Sequence, residues 1–177
     1  GKEYPRAGYG GGFKKFISDG VRYCSNRNGA AMRVSPVAIV SNSLEETLNL
    51  ADSVSVPTHN SEEGLKGAKS IAASVYIAKE GVKKNVPVDE IKKSIRTYVE
   101  PNFGYNLDES IEDIRERSKR LAKAKVDFRR TGIQSADFRH MSEASLSCPM
   151  AIIAFLLGDS YESVIRLAIS MGGDSDT

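Results

Sequence analysis

The sequence is poor in the residues that mark several classes of protein. Tryptophan is absent and aromatic residues make up 7% of the 177 residues, which argues against a surface that stacks nucleic-acid bases. No apolar run is long enough to cross a membrane as a helix. The formal net charge is only +2, too small to predict binding to nucleic acid or to an anionic membrane. A globular protein with neither of these partners is therefore expected.

Cysteine is also scarce. Cys24 and Cys148 follow no metal-binding or redox spacing, and Cys148 lies in an apolar stretch where a packed thiol is expected. This usage makes the cytoplasm the expected compartment.

Hydrophobic periodicity predicts helices along most of the chain and only poor strand candidates. The stretch 144–157 is apolar almost all round, which predicts a central buried helix. No repeat, low-complexity tract or linker interrupts the chain. We therefore expect an all-α fold in a single compact multi-helix domain. The predicted helices are 44–51 after a Ser43 cap, 61–79, 87 to a stop at Pro101, 107–122, 144–157, and 160–171 with Ser160 as N-cap and Gly172 at its end.

The stretch 172–177 carries the clearest sign of a metal site. Asp174 and Asp176, followed directly by Thr177, put three hard oxygen ligands within one turn of backbone. Magnesium, manganese and calcium prefer such ligands. Two glycines precede them and can take positive φ, which lets the backbone approach an ion. An ordinary Asp- and Ser-rich loop is the alternative, and spacing alone does not decide between the two.

Two further segments suit a phosphorylated ligand. The run Gly8-Tyr9-Gly10-Gly11-Gly12 offers bare backbone N–H groups to phosphate if it opens a helix, although a flexible segment is the favoured interpretation of this run alone. The run from Cys24 to Arg33 combines Ser and Asn side chains with a turn at Asn28-Gly29. Such a run suits the hydroxyls and phosphates of a sugar nucleotide, and it is also compatible with a local cap and turn.

The two histidines are ambiguous. His59 follows Thr58 directly before a helix rich in small residues, where it can contact a ligand or only cap its helix. His140 shows the same ambiguity, with nothing nearby that favours a functional role.

Taken together, the motifs resemble those of the ADP-ribosylglycohydrolase family. Gly-Tyr-Gly-Gly-Gly, Asn-Gly-Ala-Ala-Met-Arg (28–33), Thr-His (58–59) and Gly-Gly-Asp-Ser-Asp-Thr (172–177) occur in the order seen in that family. The second and fourth are the specific ones, and the resemblance spans residues 8–177.

The resemblance implies a metal-dependent hydrolase that removes ADP-ribose from a modified protein side chain or a small acceptor. It implies two Mg²⁺ or Mn²⁺ ions in a complete site. By motif match, the implied metal ligands are Asp174, Asp176 and Thr177. The implied ADP-ribose contacts are Gly10, Gly11, Gly12, Ser25, Asn26, Asn28, Gly29, Met32 and His59, with Arg33 as a structural partner of a carboxylate rather than a direct contact.

The chain also departs from the family pattern. Members carry an acidic Thr-Asp-Asp type stretch near their N-terminus that supplies the other metal ligands, and their catalytic carboxylate lies in the same half. The resemblance therefore implies that residues 1–177 form one incomplete domain. It would lack the N-terminal metal-ligand segment, which is expected to hold the catalytic residues, together with the final helices. On its own it is expected to be inactive. The alternative is a non-catalytic relative that keeps the fold as an ADP-ribose-binding or structural module.

Overall fold

Helices dominate the architecture. The computed structural model describes Glu3, residues 9–134 and residues 142–174. Within these ranges the regular structure is helical, with two isolated β-bridges and no strand, so the predicted all-α fold is confirmed. The helices are α1 (Gly11–Asp19), α2 (Ser35–Val40), α3 (Leu44–His59), α4 (Glu62–Lys83), α5 (Val88–Phe103), α6 (Ile111–Thr131), α7 (Ala144–Leu157) and α8 (Tyr161–Ser170), with a 3₁₀ turn at Ala31–Arg33.

Serine hydroxyls begin four of these helices. Each hydroxyl accepts a backbone N–H from the first turn, which satisfies a donor that has no partner inside the helix. The predicted caps Ser43 and Ser160 are confirmed, and Ser160 forms a capping box with Ser163. Ser61 and Ser110 cap α4 and α6 in the same way.

Helix α4 lies at the centre and packs against α2, α3, α5 and α7. Small residues allow this close approach, since a Cβ on Gly67 would lie 2.7 Å from the Ala144 Cβ of α7. One core cluster joins α4 to α5, α7 and α8, and Ile95, Ile153 and Met171 are almost fully buried in it. A smaller cluster packs the 3₁₀ turn and α2 against α3 and α4.

Several predicted helix boundaries are wrong because packing outweighs local signals. Helix α4 continues through Gly81, where the Ile91 side chain of α5 packs so closely that a Cβ would clash at 2.5 Å. Helix α5 continues past Pro101 for most of a turn and ends at Gly104. Pro101 has no N–H to donate within the helix, and the burial of Phe103 beyond it offsets this lost hydrogen bond.

Two more helices differ from the predicted bounds. Helix α3 runs to His59 rather than Ala51, and it includes Pro57. Helix α6 begins after Ser110 and reaches Thr131, so it is displaced from the predicted 107–122. Helices α7 and α8 match their predictions closely, although Leu157 of α7 is 55% exposed.

No helix in the described ranges is both long enough and apolar enough to cross a membrane.

Candidate functional site

An extended segment, residues 24–28, is held in place from two sides. On the first side it meets the junction between α3 and α4. The Ser25 N–H donates to the Thr58 carbonyl at 3.2 Å, and the Ser61 hydroxyl donates to the Ser25 carbonyl at 2.6 Å. Gly64 makes this contact possible, because a Cβ there would lie 2.6 Å from the Ser25 carbonyl oxygen.

The second side of the segment meets the start of α7. The Ala144 N–H donates to the Asn26 carbonyl at 2.9 Å, and the Asn28 N–H donates to the Ser142 carbonyl at 2.8 Å. The backbone on both sides of Arg27 is therefore fixed, and the Asn28 side chain is placed by it.

The Asn28 side chain connects the two most specific sequence motifs. Its Nδ2 donates to Asp174 Oδ2 at 2.9 Å, across 146 residues of sequence. Asn28 is 6% exposed, so this amide has little other access to solvent. A hydrogen bond to a carboxylate is stronger than one between neutral groups. The contact therefore orients the Asp174 carboxylate as well as the Asn28 amide.

The end of α8 positions Asp174 from the other direction. Met171 is fully buried, and Gly172 and Gly173 follow it with φ of 72° and 85°. The predicted positive φ of both glycines is confirmed. Arg115 of α6 anchors the last helical turn, because its Nε donates to the Ser170 carbonyl at 3.1 Å. The buried Met171 side chain and the turn at the two glycines thus determine where Asp174 lies.

A cleft of ≈ 220 Å³ opens beside the Asn28–Asp174 contact. Its volume is below the about 300–1,000 Å³ of typical ligand pockets, so it can hold one part of a nucleotide-sized ligand. Burial raises the pKa of the Cys148 thiol in its wall to about 12, so this cysteine stays protonated and is not an activated nucleophile. The cleft is lined by Asn28, Ala31, Met32, Cys148, Gly172 and Asp174, among others.

A second group of polar side chains surrounds His59, which is 5% exposed. His59 Nδ1 lies 2.8 Å from the Thr58 hydroxyl oxygen. Arg33 donates through Nη2 to that oxygen at 2.7 Å, and through Nη1 to the Gly29 carbonyl. The other imidazole nitrogen, Nε2, faces Gly29 so closely that a Cβ there would lie 2.9 Å away.

The environment of His59 disfavours its charged form. Burial lowers the pKa of His59 to about 4, and the positive charge of Arg33 acts in the same direction. His59 is therefore neutral near pH 7 and can serve as a hydrogen-bonding group, not as a cation. Burial also lowers the pKa of Arg33, but an arginine stays charged.

Tyr23 is a residue that the sequence analysis missed. Its ring lies 6.2 Å from the His59 ring, centroid to centroid. A Cβ on Gly12 would lie 2.9 Å from the same tyrosine ring. Tyr23 thus connects the glycine run to the His59 group. An aromatic residue just before Cys24 was the only signal in the sequence, and its partners are distant along the chain.

The other ligand-contact predictions fall at the edges of these groups. Gly10 is the N-cap of α1 and Gly11 its first residue, and a Cβ on either would meet nothing within 4 Å. The Ser25 hydroxyl accepts the Arg27 N–H at 3.2 Å, which gives it a local role, and the Asn26 residue is exposed. The structure thus brings Asn28, Met32 and Asp174 to one cleft. It brings Gly12 and His59 to Tyr23, and Gly29 to the His59 ring.

Of the predicted metal ligands, Asp174 is described, whereas Asp176 and Thr177 lie outside the described residues, as do Gly8 and His140. Residues 9–134 and 142–174 contain no group of three or more His, Cys, Asp or Glu placed to hold a metal ion. Asp174 is thus the one predicted metal ligand among the described residues, and Asn28 donates a hydrogen bond to its carboxylate.

Comparison with protein families adds the decisive observation. The family model for ADP-ribosylglycohydrolase matches residues 3–177, essentially the whole chain. The chain belongs to the ADP-ribosylglycohydrolase family. A comparison with curated proteins finds no significant match. Membership indicates a hydrolase of the ADP-ribosylglycohydrolase type, and the resemblance seen in the motifs is confirmed.

Proposed function

We propose that this protein binds the ADP-ribose part of a conjugate and hydrolyses the glycosidic bond to its acceptor. The observation that carries the proposal is the 2.9 Å hydrogen bond from Asn28 to Asp174. It joins the motif that suits a sugar nucleotide to the motif that suits a divalent cation. An ADP-ribosylated protein or a small ADP-ribose conjugate is the substrate class, with the released acceptor left open.

The start of α1 is the proposed position of the pyrophosphate. Gly10, Gly11 and Gly12 carry no side chains that would screen the first N–H groups, and a helix N-terminus bears a partial positive charge. Tyr23 packs between this helix start and His59. The distal ribose would then approach His59 and the Asn28-Gly29 turn, with Met32 against the cleft wall.

The residues present fit a magnesium or manganese ion by their chemistry. The Asp174 carboxylate is a hard oxygen ligand on a backbone turn, and the Asn28 amide holds one of its oxygens without competing as a cation. Asp176 and Thr177 would add two more oxygen ligands. A bound ion of this kind supplies charge stabilisation and orients hydroxyl groups and water at the sugar.

Calorimetric titration of ADP-ribose into the chain, with and without millimolar Mg²⁺ or Mn²⁺, tests the proposal. Binding that strengthens with metal is expected for the wild type. Asn28→Ala should weaken it about tenfold, because a buried charge-assisted hydrogen bond is lost. Asn49→Ala is the matched control, since Asn49 is exposed on α3. Equal affinity of Asn28→Ala and wild type would contradict the proposed role of the Asn28–Asp174 contact.

A second measurement separates an enzyme from a binding module. Release of ADP-ribose from peptides modified on arginine or on serine is followed in the presence of each metal. Metal-dependent release supports the hydrolase, and the preferred peptide identifies the acceptor. Tight binding without release would instead favour the non-catalytic alternative.

A further inference from the structure

We propose that Arg33 is a positioning residue that acts through the Thr58 hydroxyl to hold neutral His59 in the tautomer with its proton on Nε2. In this tautomer His59 offers an N–H donor, not an acceptor, toward the turn at Gly29. The inference concerns the ADP-ribose site and so rests on the proposed function for its ligand, but the tautomer itself does not depend on any ligand.

The chain of hydrogen bonds begins at a group that can only donate. A guanidinium has no acceptor atom, so the 2.7 Å contact from Arg33 Nη2 uses a lone pair of the Thr58 hydroxyl oxygen. The hydroxyl proton is then available for the remaining neighbour. That neighbour is His59 Nδ1, 2.8 Å away.

The surroundings of Nδ1 favour the acceptor role for this nitrogen. Arg33 Nη2 lies 3.5 Å from the same nitrogen, so Nδ1 faces a hydroxyl and a guanidinium group. The Thr58 oxygen keeps a second lone pair, but a proton on Nδ1 would also point at the positive charge of Arg33, which disfavours it. Nδ1 is therefore the acceptor of the imidazole, and the single proton of the neutral ring belongs on Nε2.

Arg33 also fixes what Nε2 faces. Its Nη1 donates to the Gly29 carbonyl, which holds the Asn28-Gly29 turn against the imidazole. The Gly29 Cα carries no Cβ, which would lie 2.9 Å from Nε2. Nε2 makes no hydrogen bond to any residue in the described ranges. The donor is thus free for an acceptor on the ligand, such as a hydroxyl or phosphate oxygen of ADP-ribose.

Nitrogen-15 NMR of the histidine side chains in the full chain tests the tautomer. The sequence contains two histidines, so a His140→Gln variant assigns the spectrum. The expected result for wild type at pH 7 is an unprotonated Nδ1 and a protonated Nε2 on His59. In Thr58→Val and in Arg33→Leu, the Nδ1 resonance should move toward the protonated range. Thr58→Ser keeps the hydroxyl and should retain the wild-type spectrum, as should the charge control Arg22→Leu.

Two results would overturn the proposal. One is a wild-type His59 with its proton on Nδ1. The other is an unchanged tautomer in both Thr58→Val and Arg33→Leu, provided that circular dichroism shows both variants folded.

Titration with ADP-ribose and metal provides the second readout. Thr58→Val should raise the dissociation constant about tenfold, and Thr58→Ser should restore it. If the spectra behave as expected but wild type binds no ADP-ribose, the positioning role of Arg33 stands and the proposed function fails. If wild type binds ADP-ribose but the spectra of Thr58→Val and Arg33→Leu match that of wild type, the proposed function stands and the positioning role of Arg33 fails.

Discussion

At the scale of single residues, burial keeps His59 from taking up a proton at the pH where an exposed histidine would. Its pKa is lowered to about 4, first by burial and then by Arg33, whereas an exposed histidine in the unfolded chain titrates near 6.5. Between these values the unfolded state binds a proton that the folded state does not. The His59 contribution to stability is thus present above about pH 6.5 and is lost as pH falls toward 4.

This difference predicts a pH dependence of the unfolding free energy. The His59 contribution should rise with pH between about 4 and 6.5, by at most about 1.4 kcal/mol per pH unit for one proton. Urea denaturation of wild type and His59→Gln at several pH values checks it, because carboxylates that titrate in the same range affect both proteins. Parallel curves for the two proteins would show that His59 protonates normally in the folded state.

Tyr105 is a second residue whose burial has a measurable consequence. It is 7% exposed, and its hydroxyl makes no hydrogen bond of good geometry among the described residues, although the nearby Ser70 side chain acts to lower its pKa. Burial also raises its pKa, so the phenol stays protonated. Tyr105→Phe removes a desolvated hydroxyl whose contact with Ser70 is weak, and it keeps the ring over which Lys66 Nζ lies at 5.0 Å.

We therefore expect Tyr105→Phe to leave the stability unchanged or to raise it by up to about 1 kcal/mol. Thermal denaturation compared with the half-buried control Tyr98→Phe measures this. A loss of more than about 1 kcal/mol would mean that the hydroxyl is paired, for example through an ordered water.

At the scale of helices, α6 differs from its neighbours because its buried residues lie in its first half. Its buried residues are Ile114, Ser118 and Leu121, and beyond them Val126 is 61% exposed. Seven of the fourteen residues from 117 to 130 are Lys or Arg, and one is Asp. Arg117 pairs with Glu109 and Arg130 with Asp127. Lys119, Arg120, Lys123, Lys125 and Arg129 form no ion pair within the described ranges.

Limited digestion with trypsin should therefore cut α6, at one of the basic residues from 119 to 130, before it cuts α5, because local opening costs least where few apolar contacts hold a helix. Mass spectrometry of a timed digest identifies the cut. Lys92 is an internal reference, since it is also helical but its Nζ donates to the Gly158 carbonyl at 2.5 Å. Cleavage at Lys92 before α6 would contradict the prediction.

The helices also show what the sequence could and could not predict. Helices α7 and α8 were located almost to the residue, because a continuous apolar run and a Ser160 cap are local signals. The ends of α4 and α5 were missed at Gly81 and Pro101, where local rules predict a stop. Both helices continue because they pack against other helices, and the sequence does not show which helix lies opposite.

At the scale of the whole molecule, α4 links the core to the candidate site. Gly67 lets α7 approach, since a Cβ would lie 2.7 Å from the Ala144 Cβ and 2.9 Å from Cys148 Sγ. Ala144 also binds the backbone of segment 24–28, so a shift of α7 reaches Asn28. The packing of two helices therefore determines the position of the Asn28 amide.

Gly67→Ala should destabilise the protein by about 1–3 kcal/mol, although the same change in an exposed helix would stabilise it by about 1 kcal/mol. Gly11→Ala in α1 is the control, because a Cβ on this helical glycine would meet nothing within 4 Å. Urea denaturation gives both values. An equal change in the free energy of unfolding for the two variants would show that α4 and α7 can move apart to accept a Cβ at Gly67 without cost.

The candidate site was only partly predictable for a similar reason. Motif order predicts that Asn28, His59 and Asp174 belong to one site, and the structure brings Asn28 and Asp174 within hydrogen-bonding distance. The sequence did not indicate that Tyr23 packs beside His59, or that Arg33 reaches it through Thr58. These contacts depend on the path of segment 24–28 between α3 and α7, which no local pattern encodes.

The Asn28–Asp174 contact can form only late in the synthesis of the chain. A ribosome adds about 5–20 residues per second, so the 146 residues that separate the two partners take about 7–30 s to make. During that interval Asn28 is already in the nascent chain and its carboxylate partner is not. Helices α3 to α5 can pack while translation continues, but the site is completed only after α8 has emerged.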